Sequence, residues 1–289
     1  MSNLSEIQIR DPFVLAREGT YYLYGSTDKD IWKARGVGFD VYRSHGDLTE
    51  FEGPFPAFRP PRGFWSEKNF WAPEVYFYGG AFYMFATFLP VKGHRGTAVL
   101  RAYDPLGPFT PWSAGTVTPE DWECLDGTLY VEDGTPYMVF CHEWQQVGDG
   151  QICAVELSGN LDRAVGEPVL LFRAHDAPWT KPLPNRAPGS YVTDGPNLYR
   201  GKHGTLYMLW SSMTGGGRYA LGVAASDNGR LAGPWRQADK PLYANDGGHG
   251  MLFTAPNGEL TLAVHTPNDT PDERAVFVKV TEKEGGLFI

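Results

Sequence analysis

With 289 residues, 35 glycines, 23 prolines and 14 % aromatics, the chain is suited to many short strands joined by tight turns rather than to long helices. A formal net charge of −9 without any Lys/Arg cluster excludes a polyanion-binding surface, so no nucleic-acid partner is expected. No run approaches the ~18 consecutive apolar residues that span a bilayer, and MSNLSEIQIRDPF at the N-terminus lacks the pattern of a secretory leader; the expectations are no membrane partner and a cytoplasmic location.

Taken in chain order, five segments repeat one pattern: a polar or Pro/Gly opening, an alternating apolar strand, a glycine-containing turn, and a second strand rich in Tyr, Met, Leu and Phe. They are RDPFVLAREGTYYLYGS from Arg10, WAPEVYFYGGAFYMFAT from Trp71, LDGTLYVEDGTPYMVF from Leu125, TDGPNLYRGKHGTLYMLWSS from Thr193 and GHGMLFTAPNGELTLAVH from Gly248. Weaker strand candidates at 97–103, 151–157 and 219–226 would complete four-stranded units, with turns at Gly107-Pro108-Phe109 and Gly233-Pro234-Trp235. Such units, roughly 58 residues each, fill residues 1–289 as one domain, an all-β five-bladed β-propeller. A β-sandwich is the competing architecture. The three cysteines, Cys124, Cys141 and Cys153, match neither a CxxC redox pair nor a zinc spacing and read as buried thiols.

In a propeller the innermost strands line a central channel, so their opening residues converge at one mouth. Those residues are Asp11, the Ala72-Pro73-Glu74 corner, Asp126, Asp194 and His249. The second strands return to the same mouth and bring Ser26 to Asp28, Thr87, His142 to Trp144 with Glu143, Ser211, Ser212 and His265 close by. Carboxylates gathered in this way repel one another and hold a proton near neutral pH, which suits the acid and base roles of glycoside hydrolysis. Asp and Gly also form ordinary turns at strand openings, and a histidine between glycines also occurs as a satisfied core residue. The equivalent placement in several repeats is what favours function. Trp65, Phe70, Trp71 and Trp144 fall near the mouth and would offer flat faces to sugars or, equally, fill the core.

The residues quoted resemble glycoside hydrolase family 43, the five-bladed propeller enzymes of arabinose- and xylose-containing polysaccharides. The resemblance rests on RDPFVL, WAPEV, LDGTLYVEDGTPYMVF, YVTDGPNLY and GGHGM and spans nearly the whole chain. It implies an inverting hydrolase in which Asp11 is the general base and Asp126 tunes the acid. His249 matches a histidine beside a channel cation or water, with calcium in a structural or electrostatic role and no cofactor required for the chemistry. The family's acid is a glutamate in EGP, whereas this chain has Asp194-Gly195-Pro196. Three outcomes stand open: Asp194 donates the proton to a closely held leaving group, Glu143 takes over, or the enzyme is slow or inactive on common substrates. Phe13, Trp71, Glu74 and Trp144 are the expected substrate contacts. The end of the chain just after the last blade tilts the expected activity toward arabinofuranosidase or arabinanase rather than β-xylosidase.

Two other readings compete. A non-catalytic sugar-binding propeller would need no proton donor, but would gain nothing from two desolvated like charges. The second is a β-fructosidase-like hydrolase, for which Trp122-Glu123-Cys124 resembles the Glu-Cys acid motif although Glu123 lies upstream of the third inner strand, or a glycoside phosphorylase, which phosphate dependence would expose. The expected partners are arabinose- or xylose-containing oligosaccharides, with oligomeric state left open. The segments 59–69 and 172–190 are the expected rim of the pocket.

Overall fold

A computed structural model describes residues 1–283 and 285–289. Among the described residues the chain forms five consecutive antiparallel sheets, the blades of a propeller, each built outward from an inner strand, and a small two-stranded sheet of Thr281–Lys283 with Gly286–Phe288. The inner strands are Arg10–Arg17, Ser66–Tyr78, Cys124–Glu132, Asp194–Arg200 and Gly248–Thr254. Each folds back through a short glycine-containing turn onto a second strand: Thr20–Ser26, Ala81–Pro90, Thr135–His142, Leu206–Met213 and Leu260–Thr266. The expected third strands appear at Gly96–Ala102, Gln151–Glu156 and Tyr219–Ser226.

Two elements depart from the repeat. The second inner strand begins at Ser66, ahead of the Trp71 expected from the sequence, and bulges repeatedly before it settles against its neighbour. In the fifth blade the sheet holds only three strands among the described residues. The N-terminal segment supplies the seam there. Gln8 bridges Arg274 on the last blade, and the Arg274 Nε donates to the Ser5 carbonyl at 3.1 Å. A few residues earlier, Ser2 and Asn3 pair with Phe51 and Glu50 on the outer strand of the first blade. One short segment thus ties the first blade to the last, and Ile9 behind it is wholly buried.

The blades pack face to face through apolar side chains that alternate along each strand. Leu125, Ile152, Phe172 and Trp210 fill the space between the third and fourth blades, and Tyr207, Leu221, Leu262 and Val264 that between the fourth and fifth. All three cysteines are free and buried, Cys141 between the third and fourth blades and Cys124 and Cys153 in the apolar layer between the second and third. No helix of the described residues is long and apolar enough to cross a membrane.

Candidate active site

The inner strand of every blade carries the same irregularity near its start. Its pairing with the second strand slips between Arg10 and Phe13, Trp71 and Glu74, Leu125 and Thr128, Asp194 and Asn197, and Gly248 and Met251. Three residues on one strand advance against two on the other, which is a bulge, a device that re-aims side chains beside functional sites. The residue after each slip point has a left-handed backbone: Asp11 at φ 56°, Ala72 at 46°, Asp126 at 57°, Gly195 at 51° and His249 at 46°. Asp, His and Gly are the residue types that accept this conformation at least cost. The bulges turn Asp11, Asp126 and His249 into one cavity of about 670 Å³, together with the preceding residues Arg10, Trp71, Leu125 and Asp194.

The register corrects one expectation. Asp194 pairs with Ser211 as Arg10 pairs with Ser26, so it occupies the position before the left-handed residue, not the position of Asp11 and Asp126. Gly195 holds that place in the fourth blade. A Cβ there would lie 2.6 Å from the His249 ring, so the imidazole rests directly on the glycine.

Each left-handed residue points its N–H at the neighbouring blade. Ala72 donates to Ser26 Oγ at 2.9 Å, Asp126 to Thr87 Oγ1 at 2.9 Å, His249 to Ser211 Oγ at 2.8 Å and Asp11 to His265 Nδ1 at 3.2 Å. Ser26, Thr87, Ser211 and His265 are the second-strand partners of the residues before the bulge, and in the third blade that position belongs to Cys141. There the clasp is made differently: Gly195 N donates to Asp126 Oδ2 at 2.9 Å. One carboxylate thus fixes two blades.

The carboxylates do not titrate alike. Burial would raise Asp11, but His249, whose Nδ1 lies 3.2 Å from Oδ1, with Arg10 and the Ser26 hydroxyl at 2.7 Å, outweighs it and holds Asp11 below its ordinary value. His265 is pushed down to about 3 by burial and by Arg10, so it is neutral. Its Nδ1 accepts from Asp11 N, which puts the proton on Nε2, facing Asn268 Oδ1 at 3.4 Å. It is therefore a clasp rather than an ion-pair partner for Asp11. Asp126 is raised well above its ordinary value by burial and by the charges of Asp194 and Asp11. Burial also raises Asp194, against His249 and a 3.0 Å hydrogen bond from the Tyr219 hydroxyl.

Glu143 reaches the cavity from the end of the third blade's second hairpin strand and is 3 % exposed. Arg95 Nη2 donates to its Oε2 at 2.8 Å while Arg95 Nε donates to Glu123 Oε1 at 2.6 Å. The guanidinium also lies over the Trp71 ring, 5.0 Å from its centroid. Trp144 and Trp32 complete the wall; Arg186 covers the face of Trp144, and Trp32 Nε1 donates to Thr270 at 3.2 Å. Of the expected rim, Leu183, Pro184 and Arg186 line the cavity whereas residues 59–69 do not.

Two expected substrate contacts lie elsewhere. Phe13 is a core residue, edge-on to Tyr76 with ring centroids 5.2 Å apart. Glu74 is buried outside the cavity lining, accepts from the Tyr76 hydroxyl, and is raised to about 7 by burial. Both sit on the inner strand past the bulge, where side chains turn from the mouth into the barrel of blades. Phe70 is likewise core, whereas Trp71 and Trp144 do face the cavity. Sequence reasoning missed Arg10, Arg95, Tyr219 and Trp32. Arg10 was visible beside Asp11, but nothing local marks Arg95, whose partners are 28 and 48 residues away.

Among the described residues no group of three or more His, Cys, Asp or Glu side chains is placed to hold a metal ion. His249 Nδ1 faces Asp11 and, at 3.6 Å, Asp126, and one imidazole does not supply the six to eight oxygens that calcium takes. The donor set does not fit a protein-built calcium cage, and no catalytic step below involves one.

The family model for glycosyl hydrolases family 43 matches residues 4–283. The endo-arabinase from Bacteroides thetaiotaomicron VPI-5482 superposes with a TM-score of 0.89 at 38 % identity, covering 98 % of both chains. A thermostable family-43 glycoside hydrolase gives 0.79 at 26 % identity over 97 % of this chain and 92 % of its own. An endo-1,4-beta-xylanase, also from Bacteroides thetaiotaomicron VPI-5482, gives 0.77 at 24 % identity over 98 % and 94 %, a likeness of fold. No curated protein matches the chain.

Proposed function

The chain belongs to glycosyl hydrolases family 43, and from that premise we infer an inverting glycoside hydrolase acting on α-L-arabinofuranosidic bonds of the arabinan type. The observation that carries the reading is the convergence of Asp11, Asp126, Asp194 and Glu143 on one cavity walled by Trp71 and Trp144. The similarity to an endo-arabinase over 98 % of the chain favours arabinose over xylose.

In this reading Asp11 is the general base. It is the carboxylate that its neighbours keep ionised, so it can take a proton from water as the water attacks the anomeric carbon. The glycosidic C–O bond breaks on the opposite face, and the leaving oxygen takes a proton from a carboxylic acid. Asp126 interacts with the charges of both Asp194 and Asp11; its Oδ2 is fixed by Gly195 N, and its charge state sets the field that the acid feels. The acid is one of the two remaining carboxyl groups of the cavity, Asp194 or Glu143.

Proton NMR of the sugar released from 4-nitrophenyl α-L-arabinofuranoside, 4-nitrophenyl β-D-xylopyranoside and 1,5-linked arabinan tests the reading. The expected outcome is the inverted anomer of arabinose or its oligomers, with Asp11→Asn lowering kcat/KM by about 10³ or more on the same substrate. Release with retained configuration, or a clear preference for the xyloside, would overturn it.

A further inference from the structure

The acid in the reaction just inferred is the point at which the chain leaves its family's pattern, and the structure holds two independent observations about it. The first concerns Asp194. It lines the cavity with one methylene less than the glutamate of an EGP motif, and its Oδ2 accepts from Tyr219, whose ring stacks on the buried His265. The side chain is short, and one of its two oxygens is engaged by Tyr219.

The second concerns Glu143. It enters the same cavity from the neighbouring blade with the longer side chain, anchored by Oε2 to Arg95, while Oε1 has no protein partner among the described residues. Arg95 is divided between two carboxylates. It gives Nε to Glu123 and Nη2 to Glu143, so its single positive charge cannot balance both. Glu123 is partly buried and also meets His94 at 2.9 Å, and although burial opposes it, the bonds from Arg95 and His94 keep it below its ordinary value. Glu143 is the more buried of the pair and faces Asp194 and Asp126 as well as Glu123. Burial and these three negative charges outweigh Arg95 and push Glu143 up to about 8. Glu143 is therefore protonated at neutral pH with Oε1 free of protein partners among the described residues; Asp194, also raised by burial, is the shorter group and has Oδ2 engaged by Tyr219.

We propose that Glu143, rather than Asp194, donates the proton to the leaving-group oxygen, and that Glu123, by engaging Arg95, is the positioning residue that keeps that proton on Glu143. As the C–O bond breaks, its electron pair goes to the leaving oxygen, which takes the proton from Glu143. The carboxylate left behind meets Arg95 at 2.8 Å. The charge created in the step thus forms beside a cation already in place.

The proposal rests on the arabinoside reading, and the experiment separates the two. Full-length Glu143→Gln, Asp194→Asn and Glu123→Gln are compared with wild type across pH. The substrates are 2,4-dinitrophenyl α-L-arabinofuranoside, whose leaving group needs no proton, and 1,5-linked arabinotriose, whose leaving sugar does. Glu143→Gln is expected to lower kcat/KM on arabinotriose by about 10² to 10⁴ and on the dinitrophenyl glycoside by less than about tenfold. Glu123→Gln leaves Arg95 wholly to Glu143, so the alkaline limb of its profile moves to lower pH by about 1, a readout that does not depend on the Glu143 variant folding. A leaving-group-dependent loss in Asp194→Asn with a uniform loss in Glu143→Gln overturns the assignment and leaves the hydrolase intact. An unmoved alkaline limb in Glu123→Gln overturns the positioning role. A wild type inert on both arabinosides removes the substrate reading and the assignment together.

Discussion

Glu74 shows what burial does to a carboxyl that hydrogen bonds and the nearby His249 favour too weakly to offset it. Tyr76 and Thr128 hold it, yet burial raises it to about 7, so the folded chain prefers it protonated. For an acid raised on folding the sign is fixed: its cost is absent below the unfolded value near 4.5, grows as pH rises, and is complete above about 7. Glu143 adds to the same trend up to about 8. Glu74→Gln keeps an oxygen for Tyr76 and removes the ionisation. Its melting temperature is expected to match wild type near pH 5 and to exceed it increasingly toward pH 8, a stabilisation of order 3 kcal/mol, measured by thermal denaturation along a pH series. At this scale the sequence was legible where residue type announces chemistry. Asp11, Asp126, Asp194, Glu143 and His249 all line the cavity as their motifs suggested. Phe13 and Glu74 stand in the same motifs but point inward, because alternation along the strand past the bulge, not membership of a motif, decides direction.

At the scale of the element, the bulge is the repeated unit that makes a site out of five strands. Its position follows from DP, AP, DG, GP and HG pairs whose residues tolerate or require a left-handed turn, so the openings could be read from sequence. The one-residue offset of Asp194 could not, since DGP resembles the Asp-containing openings until pairing with Ser211 fixes the register. Nor could the clasps be foreseen. A serine, threonine or histidine at a strand end looks ordinary until the next blade presents an N–H to it. Gly195 is the most demanding of these positions, combining φ 51° with an imidazole where a Cβ would go. Gly195→Ala is expected to destabilise the fold by about 1–3 kcal/mol and, by displacing His249 from Asp11 and Asp126, to lower kcat at least tenfold; denaturant melts and steady-state kinetics measure the two effects.

The propeller as a whole was legible because its repeat spans the chain, and the β-sandwich alternative is excluded by five successive sheets arranged around one channel. The way the ring closes was not. The seam depends on Ser2–Asn3, Ser5 and Gln8 in a short, mostly polar stretch outside the five repeats, which finds partners only once the first and last blades meet. Removing residues 2–7 is expected to lower the melting temperature by about 5 °C or more while leaving the far-UV spectrum at low temperature close to that of the full chain. The clasps carry a consequence for how the protein ages under heat. Since Asp11, Asp126 and His249 are each held by a group from an adjacent blade, a small widening between neighbours misaligns the reacting groups while every hairpin remains intact. Working lifetime is then governed by the spacing of the blades and not by the durability of the strands.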